Sequence, residues 1–533
     1  MLKQRTRGHL ARLSFGAAAG LLAAAGGLAA AELAASSSER LQSPVLDVGD
    51  QVVDGVPLWL KDLAIEWFGQ NDKRALLVGI AIILGLYAAV LGVAALSRRW
   101  KLAVAGAGLF GAIGAYTSQA SRRPAPWWAT FPSIIGGLVT ATLLVTLRWA
   151  LVGRRGASTA PAAGGTDEPD ALGLDRQGLD RRRFLAAGTA TAVGSAAIGV
   201  TARRVSGRFD VDAQRADLTL PPADQPATAA PPGAQAAGAD PFFTPNADFY
   251  RIDTALTVPQ VSVGGWSLGI TGRVGRELRL TYDDLLRREL VEADITLACV
   301  SNEIGGSLIG TARWLGVRLD DLLDEVGIDT DADQIVGRSV DGFTAGFPTA
   351  TLDGRDALVA IGMNGEPLPV EHGYPARLIV PGLYGYVSAV KWLSEIELTR
   401  FADFDAYWVR RGWADDGPIK LQSRIDTPRG LAKVPAGTVA VAGVAWAQTR
   451  GIDAVELQFD DGEWVPAVLA DEHTVDTWRQ WSYAWDATPG RHTVRVRATE
   501  RGNGETRAIQ TDVRSEPFPS GATGQHQIVV LVE

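Results

Sequence analysis

The sequence predicts a multi-domain protein with an N-terminal α-helical membrane region, an α+β domain and a C-terminal all-β sandwich. Three observations support this fold class. A chain of 533 residues is too long to fold around one hydrophobic core. The first 205 residues contain several long apolar stretches without charged residues. Beyond residue 240, short apolar runs alternate with Gly- and Pro-containing turns, a pattern typical of strands.

Residues 1–205 are expected to form a membrane region with about five transmembrane helices. A helix needs roughly 20 apolar residues to cross the hydrocarbon core of a bilayer. The stretches of sufficient length are 13–31, 75–96, 102–120, 124–147 and 184–202. The first and fifth are rich in Ala and Gly and only weakly hydrophobic, so a signal-like segment is an alternative interpretation of each.

The positions of Lys and Arg predict the orientation of this region. These residues cluster before the first stretch, between the second and third, and between the fourth and fifth. The positive-inside rule then places the N-terminus in the cytoplasm and, after five crossings, the later domains outside. Arg181, Arg182 and Arg183 fit either a twin-arginine export signal or a cytoplasmic positive stop. We therefore expect a multi-pass protein of the cytoplasmic membrane that contacts lipid and carries its later domains on the extracytoplasmic side.

The composition excludes several kinds of redox centre. One cysteine excludes an intrachain disulfide framework, a four-Cys zinc site and a Cys-ligated iron–sulfur cluster. None of the five histidines lies in the apolar stretches, which excludes a bis-His haem within the membrane. A net charge of −9 over this length gives no indication of nucleic-acid binding.

Three further segments follow the membrane region. Residues 206–240 are rich in Ala, Pro and Asp, which predicts a flexible linker. Residues 241–417 should form the α+β domain and residues 418–533 the β-sandwich. Within the α+β domain, the expected strands cover 266–272, 295–300, 357–363 and 377–380, and the expected helices start after Thr281 and cover Leu319–Val326.

The single cysteine, Cys299, lies in an apolar run that ends at Asn302. Judged by residue type alone, it is a nucleophile, a ligand for one soft transition metal, or a small buried hydrophobic residue.

Residues 241–400 resemble the molybdopterin domain of the sulfite oxidase family, including its bacterial periplasmic sulfoxide-reductase branch. Six ordered runs carry this resemblance: 243–251, 297–302, 310–319, 363–369, 372–382 and 388–392. Residues 418–533 resemble the immunoglobulin-like C-terminal domain of that family, through the runs 423–428, 441–446 and 481–486.

The resemblance implies a Mo-molybdopterin cofactor and three catalytic residues. The Cys299 thiolate would be a direct ligand of molybdenum, and Tyr250 and Arg251 would lie at the cofactor edge and position an oxygen atom of the substrate. Arg313 falls within the third run, where an ordinary structural ion pair explains it equally well.

The cofactor-binding residues follow from the same runs. An Arg side chain binds phosphate with two parallel hydrogen bonds and a Lys adds a point charge, while the amides of Ser388 and Ala389 would contact the same phosphate. The implied cofactor-binding residues are Tyr250, Arg251, Asn302, His372, Arg377, Ser388, Ala389 and Lys391.

One departure from the family affects the expected substrate. Sulfite oxidases carry two arginines shortly after the cysteine, where this chain has Glu303 and Ile304. Losing two cations lowers the charge complementarity to a dianion such as sulfite. We therefore expect two-electron oxygen-atom transfer on a small S-oxide or N-oxide. The alternatives are a sulfite oxidase or dehydrogenase, and a non-enzymatic membrane-tethered scaffold.

The sequence also bears on partners. No ligand set for a second redox centre is evident, so electrons should pass to or from a separate quinone, cytochrome or flavoprotein. The resemblance leaves open whether two chains form a homodimer through the C-terminal domain.

Overall fold

The computed structural model describes residues 2–38, 41–57, 60, 63, 67–68, 72–97, 99–122, 125–152, 180–502 and 507–533. These residues form two compact units, Met1–Asp210 with Ala255–Thr257, and Val211–Thr254 with Val258–Glu533. The loop at 153–179, whose arginines contributed to the predicted orientation, lies outside the described residues.

The first unit is helical. Its helices are α1 Leu2–Ala35, α2 Pro44–Gly55, α3 Asp72–Ala95, α4 Trp100–Ala120, α5 Phe131–Val152 and α6 Arg181–Ser206. Helix α1 packs closely on α3 at glycine positions, because a Cβ at Gly20 would overlap the backbone of Ala88. Close approach at small residues is typical of helices that associate within a bilayer.

Four helices of the described residues are long and apolar enough to cross a membrane: Leu10–Ala35, Lys73–Ala95, Trp127–Val152 and Arg181–Asp217. The prediction of about five spans is therefore one too many by length and composition. Helix α4 forms where the third span was expected, with 21 residues. Its last turn contains Thr117, Ser118 and Gln119, and these polar residues lower its mean hydropathy.

The predicted flexible linker is instead folded against the second unit. A short helix, α7 Asp212–Asp217, starts this segment, and Val211 beside it is buried. Gln225 forms an isolated β-bridge with Val291, and the N–H of Ala236 donates a hydrogen bond to Oε1 of Gln480 (2.7 Å). Low hydrophobicity suggested disorder, but backbone hydrogen bonds and small buried side chains order the segment.

The α+β domain contains two five-stranded sheets. Its strands are β1 Ser267–Gly272, β2 Leu278–Thr281, β3 Val291–Ala298, β4 Ile309–Arg318, β5 Gln334–Ser339, β6 Thr344–Pro348, β7 Leu358–Met363, β8 Glu366–Pro367, β9 Arg377–Ile379 and β10 Leu393–Thr399. Its helices are α8 Tyr282–Leu286, α9 Leu319–Val326 and α10 Gly385–Ser388. One sheet has the order β2-β1-β10-β5-β6, and the other has the order β3-β4-β7-β8 with β9 paired to β7.

The local predictions for this domain are confirmed. Strands β1, β3, β7 and β9 fall where the apolar runs placed them, and α9 covers the predicted residues. Helix α8 starts with a capping box, in which Thr281 and Asp284 each accept a hydrogen bond from the backbone N–H of the other. The α+β class therefore follows from period and capping signals in the sequence.

The C-terminal region is built from two sheets, which confirms the all-β prediction. Its strands are β11 Gln422–Thr427, β12 Lys433–Val434, β13 Gly437–Trp446, β14 Ile452–Phe459, β15 Trp464–Pro466, β16 Val468–Leu469, β17 Arg479–Ala487, β18 Gly490–Glu500 and β19 His526–Val532. The sheet orders are β11-β13-β17-β16 and β12-β19-β18-β14-β15. Val441 and Trp481 of the first sheet share one core with Val455, Val494 and Val530 of the second.

Candidate active site

The only cysteine lies at the carboxyl end of β3, in a short turn. The Cys299 N–H donates to the Leu308 carbonyl (2.9 Å), and the Asn302 N–H donates to the Cys299 carbonyl (3.0 Å). The Asn302 side chain accepts from the Leu308 N–H (2.8 Å), so in this structure it stabilises the turn. These bonds fix the backbone of Cys299 without using its thiol.

The thiol of Cys299 lies in a buried environment. Burial raises its pKa, while hydrogen bonds from Ser301 and the positive charge of Lys391 act in the opposite direction. A buried thiolate therefore requires a nearby cation or a metal ion to persist at neutral pH.

Three buried basic side chains, His372, Arg377 and Lys391, come together at this site. Nη1 of Arg377 donates to the His372 carbonyl (3.3 Å), and Nζ of Lys391 donates to the Glu371 carbonyl (3.2 Å). Burial lowers the pKa of Arg377 to about 10 and that of Lys391 to about 8. The positive charges of Arg377 and Lys391 thus lie where water solvates them poorly, which lowers the free energy of unfolding of the protein.

Two buried atoms of this cluster lack hydrogen-bond partners within the described residues: Nε of Arg377 and Nδ1 of His372. Nε2 of His372 faces the Asn246 carbonyl at 3.1 Å, and a carbonyl only accepts, so Nε2 carries the proton and Nδ1 is an acceptor. Arg377 is also without a carboxylate partner among the described ion pairs, and its guanidinium lies over the face of Trp314, 5.3 Å from the ring centroid. The cluster is therefore complementary to an anionic group that also carries a hydrogen-bond donor.

Tyr250 and Arg251 occupy different positions around this cluster. Burial raises the pKa of Tyr250, with Cys299 adding to the shift and Arg377 opposing it, so the phenol is neutral and available as a donor. Its ring stacks on Phe249 (5.2 Å). The Arg251 side chain is 38% exposed and its Nε contacts Asp253 (2.8 Å), which places it at the rim.

Asp253 was not predicted from the sequence. Its Oδ2 accepts from both Arg251 (2.8 Å) and Lys391 (2.9 Å), which lies 138 positions later in the chain. The only sequence signal was an acid two residues after a predicted site arginine. The carboxylate partly neutralises both cations, so the rim of the site is less positive than the sequence suggests.

Ser388 and Ala389 lie at the end of α10. The Ser388 hydroxyl donates to the carbonyls of Leu383 (3.4 Å) and Tyr384 (3.1 Å), and the Ala389 N–H donates to Gly385 (3.0 Å). The Ala389 amide is thus used by the helix in this structure, and its contact with a phosphate stays a prediction.

Tyr384 is also part of this site, whereas Arg313 belongs to a separate ion pair. Tyr384, which sequence reasoning missed, is buried, and burial together with Cys299 raises its pKa to about 12. It lies two residues beyond the end of the fifth run, and no local pattern singles it out. Arg313 makes a two-point ion pair with Asp294 (both 2.8 Å), which supports the structural interpretation of that residue.

The environment of His372 predicts a pH dependence of stability. Burial, with Arg377 and Lys391 adding to it, lowers the pKa of His372 from 6.5 to about 4. Between pH 6.5 and about 4, His372 binds more protons in the unfolded chain than in the folded one. The buried neutral imidazole therefore makes its full contribution to stability above pH 6.5, and this contribution is lost as the pH falls to about 4. Relative to His372→Gln, the wild type should lose about 3 kcal/mol across this window. Thermal unfolding of the full chain in detergent from pH 7 to pH 4 measures the difference, and parallel profiles would contradict it.

Comparisons with known proteins identify a family and relatives for part of the chain. Residues 255–408 match the family model described as "Oxidoreductase molybdopterin binding domain". Mouse (Mus musculus) mitochondrial sulfite oxidase is 30% identical over 289 residues, which cover 45% of this chain and 52% of that protein. The chain thus spans about half the length of such curated relatives. The crystal structure of the sulfane dehydrogenase SoxCD from Paracoccus pantotrophus aligns with 55% of this chain and over 84% of the matched SoxCD chain, with 22% identity and a TM-score of 0.49.

One smaller relative is matched over most of its length. The uncharacterized oxidoreductase YuiH of Bacillus subtilis (strain 168) is 31% identical over 148 residues, which cover 28% of this chain and 72% of that protein. Together with the family match and the cysteine-and-cation cluster, this similarity shows that the chain belongs to the sulfite oxidase family of molybdopterin-dependent oxidoreductases.

Proposed function

We propose that this protein is a membrane-anchored oxidoreductase that carries out two-electron oxygen-atom transfer on the outer face of the membrane. The observation that supports this most strongly is the buried Arg377, which lacks a carboxylate partner in the described structure and lies in one cluster with His372 and Lys391 near Cys299. A scaffold has no use for a buried charge that lowers its stability. When bound, Mo-molybdopterin supplies a metal centre that exchanges an oxygen atom together with two electrons.

The residues of the cluster fit the anionic part of this cofactor. Arg377 offers an unused Nε donor, and Lys391 offers a point charge beside it. Nδ1 of His372 offers the acceptor that a ring N–H requires. An anion in this position raises the depressed pKa values of both cations and removes the cost of burying them.

Cys299 is the residue that would hold the metal. Its buried thiol ionises reluctantly without a partner, and a bound metal ion lowers the pKa of a thiol that coordinates it. The neutral phenol of Tyr250 would donate a hydrogen bond to the oxygen atom of a substrate, with Arg251 at the rim guiding its approach.

The charges around the site favour a substrate that is not a dianion. Arg251 is paired with Asp253, and Glu303 is exposed where the family resemblance implies a cation. A small S-oxide or N-oxide therefore fits better than sulfite.

Steady-state kinetics on both substrate classes test this proposal. With a reduced dye as donor, kcat/KM for an S-oxide or N-oxide should exceed that for sulfite with an oxidised dye by at least about tenfold, or about 1.4 kcal/mol. The double variant Glu303→Arg with Ile304→Arg should shift the ratio toward sulfite. The single variant Glu303→Arg should shift it in the same direction, and Glu289→Arg is its charge-matched control away from the turn. A wild type that prefers sulfite would support the sulfite oxidase alternative and overturn the substrate assignment.

The remaining parts of the proposal concern location and electron flow. Among the residues that the structure describes, four helices of membrane-spanning length and composition support anchoring. The single cysteine and the positions of the histidines favour electron exchange with a separate quinone, cytochrome or flavoprotein rather than with a second centre in this chain.

A further inference from the structure

The C-terminal sandwich contacts the segment that carries Cys299 on the side before the cysteine. β3 is the edge strand of its sheet, and Thr296 on this strand is fully buried. Its N–H donates to the Asp476 carbonyl (2.9 Å), its carbonyl accepts from Gln448 (3.1 Å), and its hydroxyl accepts from the Trp478 N–H (2.8 Å). The backbone N–H and carbonyl of Thr296, which have no neighbouring strand on this side of β3, thus form hydrogen bonds with the sandwich.

The sandwich also contacts the same segment after the cysteine. Nη1 of Arg424, at the start of β11, donates to the Gly306 carbonyl (3.0 Å). The ring of His526 packs directly on Gly305, whose φ of +76° favours glycine and where a Cβ would overlap the ring. Two elements of the sandwich therefore cover the backbone six and seven residues beyond Cys299.

Arg424 is held rigidly in this contact. Its side chain is 8% exposed, with Nε bound to Asp426 (2.5 Å) and Nη2 bound to Asp240 (3.1 Å). With two carboxylates fixing the guanidinium, Nη1 is directed at the Gly306 carbonyl and little conformational entropy remains to be lost in making that bond.

We propose that the C-terminal sandwich positions the Cys299 thiolate by holding both ends of its segment, with Arg424 as the principal positioning residue. Inside the α+β domain, the turn is closed by the Cys299–Leu308 and Asn302–Leu308 hydrogen bonds. The contacts at Thr296 and Gly306 restrict the turn from outside. The inference rests on the proposed function only in taking Cys299 as the metal ligand.

Alkylation of Cys299 tests this inference directly, because it is the only cysteine in the chain. The probe is iodoacetamide, applied to the full chain in detergent after purification from a host that does not make the cofactor. Arg424→Ala should raise the rate of alkylation by about tenfold or more. Loss of a hydrogen bond from a charged donor at a buried site increases the population of the open turn, in which the thiol is accessible, by about that factor. Arg497→Ala is the matched control, because Arg497 lies in the same sandwich and pairs with Glu456 (2.8 Å) on the other sheet.

A spectroscopic readout separates positioning from general destabilisation. In cofactor-loaded protein, Arg424→Ala should alter the electron paramagnetic resonance signal of the half-reduced metal and lower kcat more than it changes KM, while Arg424→Lys restores part of both. Arg497→Ala should leave both unchanged. A general loss of stability would not change the signal of the protein that remains folded.

The outcomes decide between the alternatives. Alkylation of Arg424→Ala within twofold of the wild type would overturn the inference. If Arg424→Ala does not fold, His526→Ala removes the ring from Gly305 and is judged by the same criterion. Wild-type protein without molybdenum would overturn the proposed function alone, because the alkylation contrast needs no cofactor.

Discussion

Replacement of Cys299 by serine is expected to reduce turnover by more than about a hundredfold. Removing a residue that only hydrogen-bonds to a metal ligand costs up to about a hundredfold, and replacing the ligand itself should cost more. The hydroxyl of serine does not ionise near neutral pH and is a harder ligand than a thiolate. The fold should be retained, because the backbone N–H and carbonyl of residue 299 close the turn and a serine hydroxyl can also accept the hydrogen bonds from Ser301. Steady-state kinetics with the preferred oxide substrate measure the loss.

The unfolding temperature is the control for this variant. Cys299→Ser should unfold within a few degrees of the wild type when both lack the cofactor, since serine keeps both backbone bonds and fills nearly the same volume. A variant that retains a tenth or more of the wild-type kcat would show that the thiolate is not a metal ligand.

Replacement of Arg377 by methionine is expected to stabilise the cofactor-free protein and to lower its cofactor content by at least about tenfold. Burial lowers the pKa of Arg377 from 12.5 to about 10, which corresponds to about 3 kcal/mol of unfavourable charge burial at neutral pH. Methionine removes this cost and keeps a favourable contact with the ring of Trp314. Thermal unfolding of cofactor-free protein and quantification of the pterin in loaded protein measure the two effects.

Arg313→Met is the matched control for this prediction. Arg313 pairs with Asp294, whose side chain is fully buried and also contacts His473 (2.7 Å). Losing this arginine leaves a buried carboxylate short of a partner, so the control should be destabilised while it retains cofactor. An Arg377→Met protein that is less stable than the wild type and still binds the pterin would refute the assignment of this arginine.

The parts of the fold that depend on local signals could be predicted from the sequence. Helix α9 follows the apolar spacing of Leu319–Val326, and α8 follows the Thr281 capping box. Both signals lie within a few residues and act before any tertiary contact forms. The segment at 211–240 could not be predicted in the same way. Its small side chains are weakly hydrophobic, and its order comes from distant partners such as Gln480.

The site shows the same division. Cys299, His372, Arg377 and Lys391 were predicted because the runs that contain them resemble a known family, and the structure brings them together. The unpaired buried atoms of the cluster are a property of packing and are invisible in the sequence.

The residues that sequence reasoning missed are those whose partners lie far along the chain. Asp253 contacts a lysine 138 positions later, and Arg424 contacts Gly306, which lies 118 positions earlier. Neither residue belongs to a short motif with a spacing that chemistry dictates. The first contact depends on how the α+β domain folds back on itself, and the second on how the two domains of the second unit pack together. A linear pattern encodes neither.

The measurement that tests the central claim most directly is the molybdenum and pterin content of purified wild-type protein beside Cys299→Ser. The protein should be produced in a host that makes the cofactor, with metal determined by elemental analysis. We expect about one molybdenum and one pterin per wild-type chain, and less metal in Cys299→Ser, which retains the cation cluster proposed to bind the pterin. Wild-type protein without metal and without pterin would contradict the account.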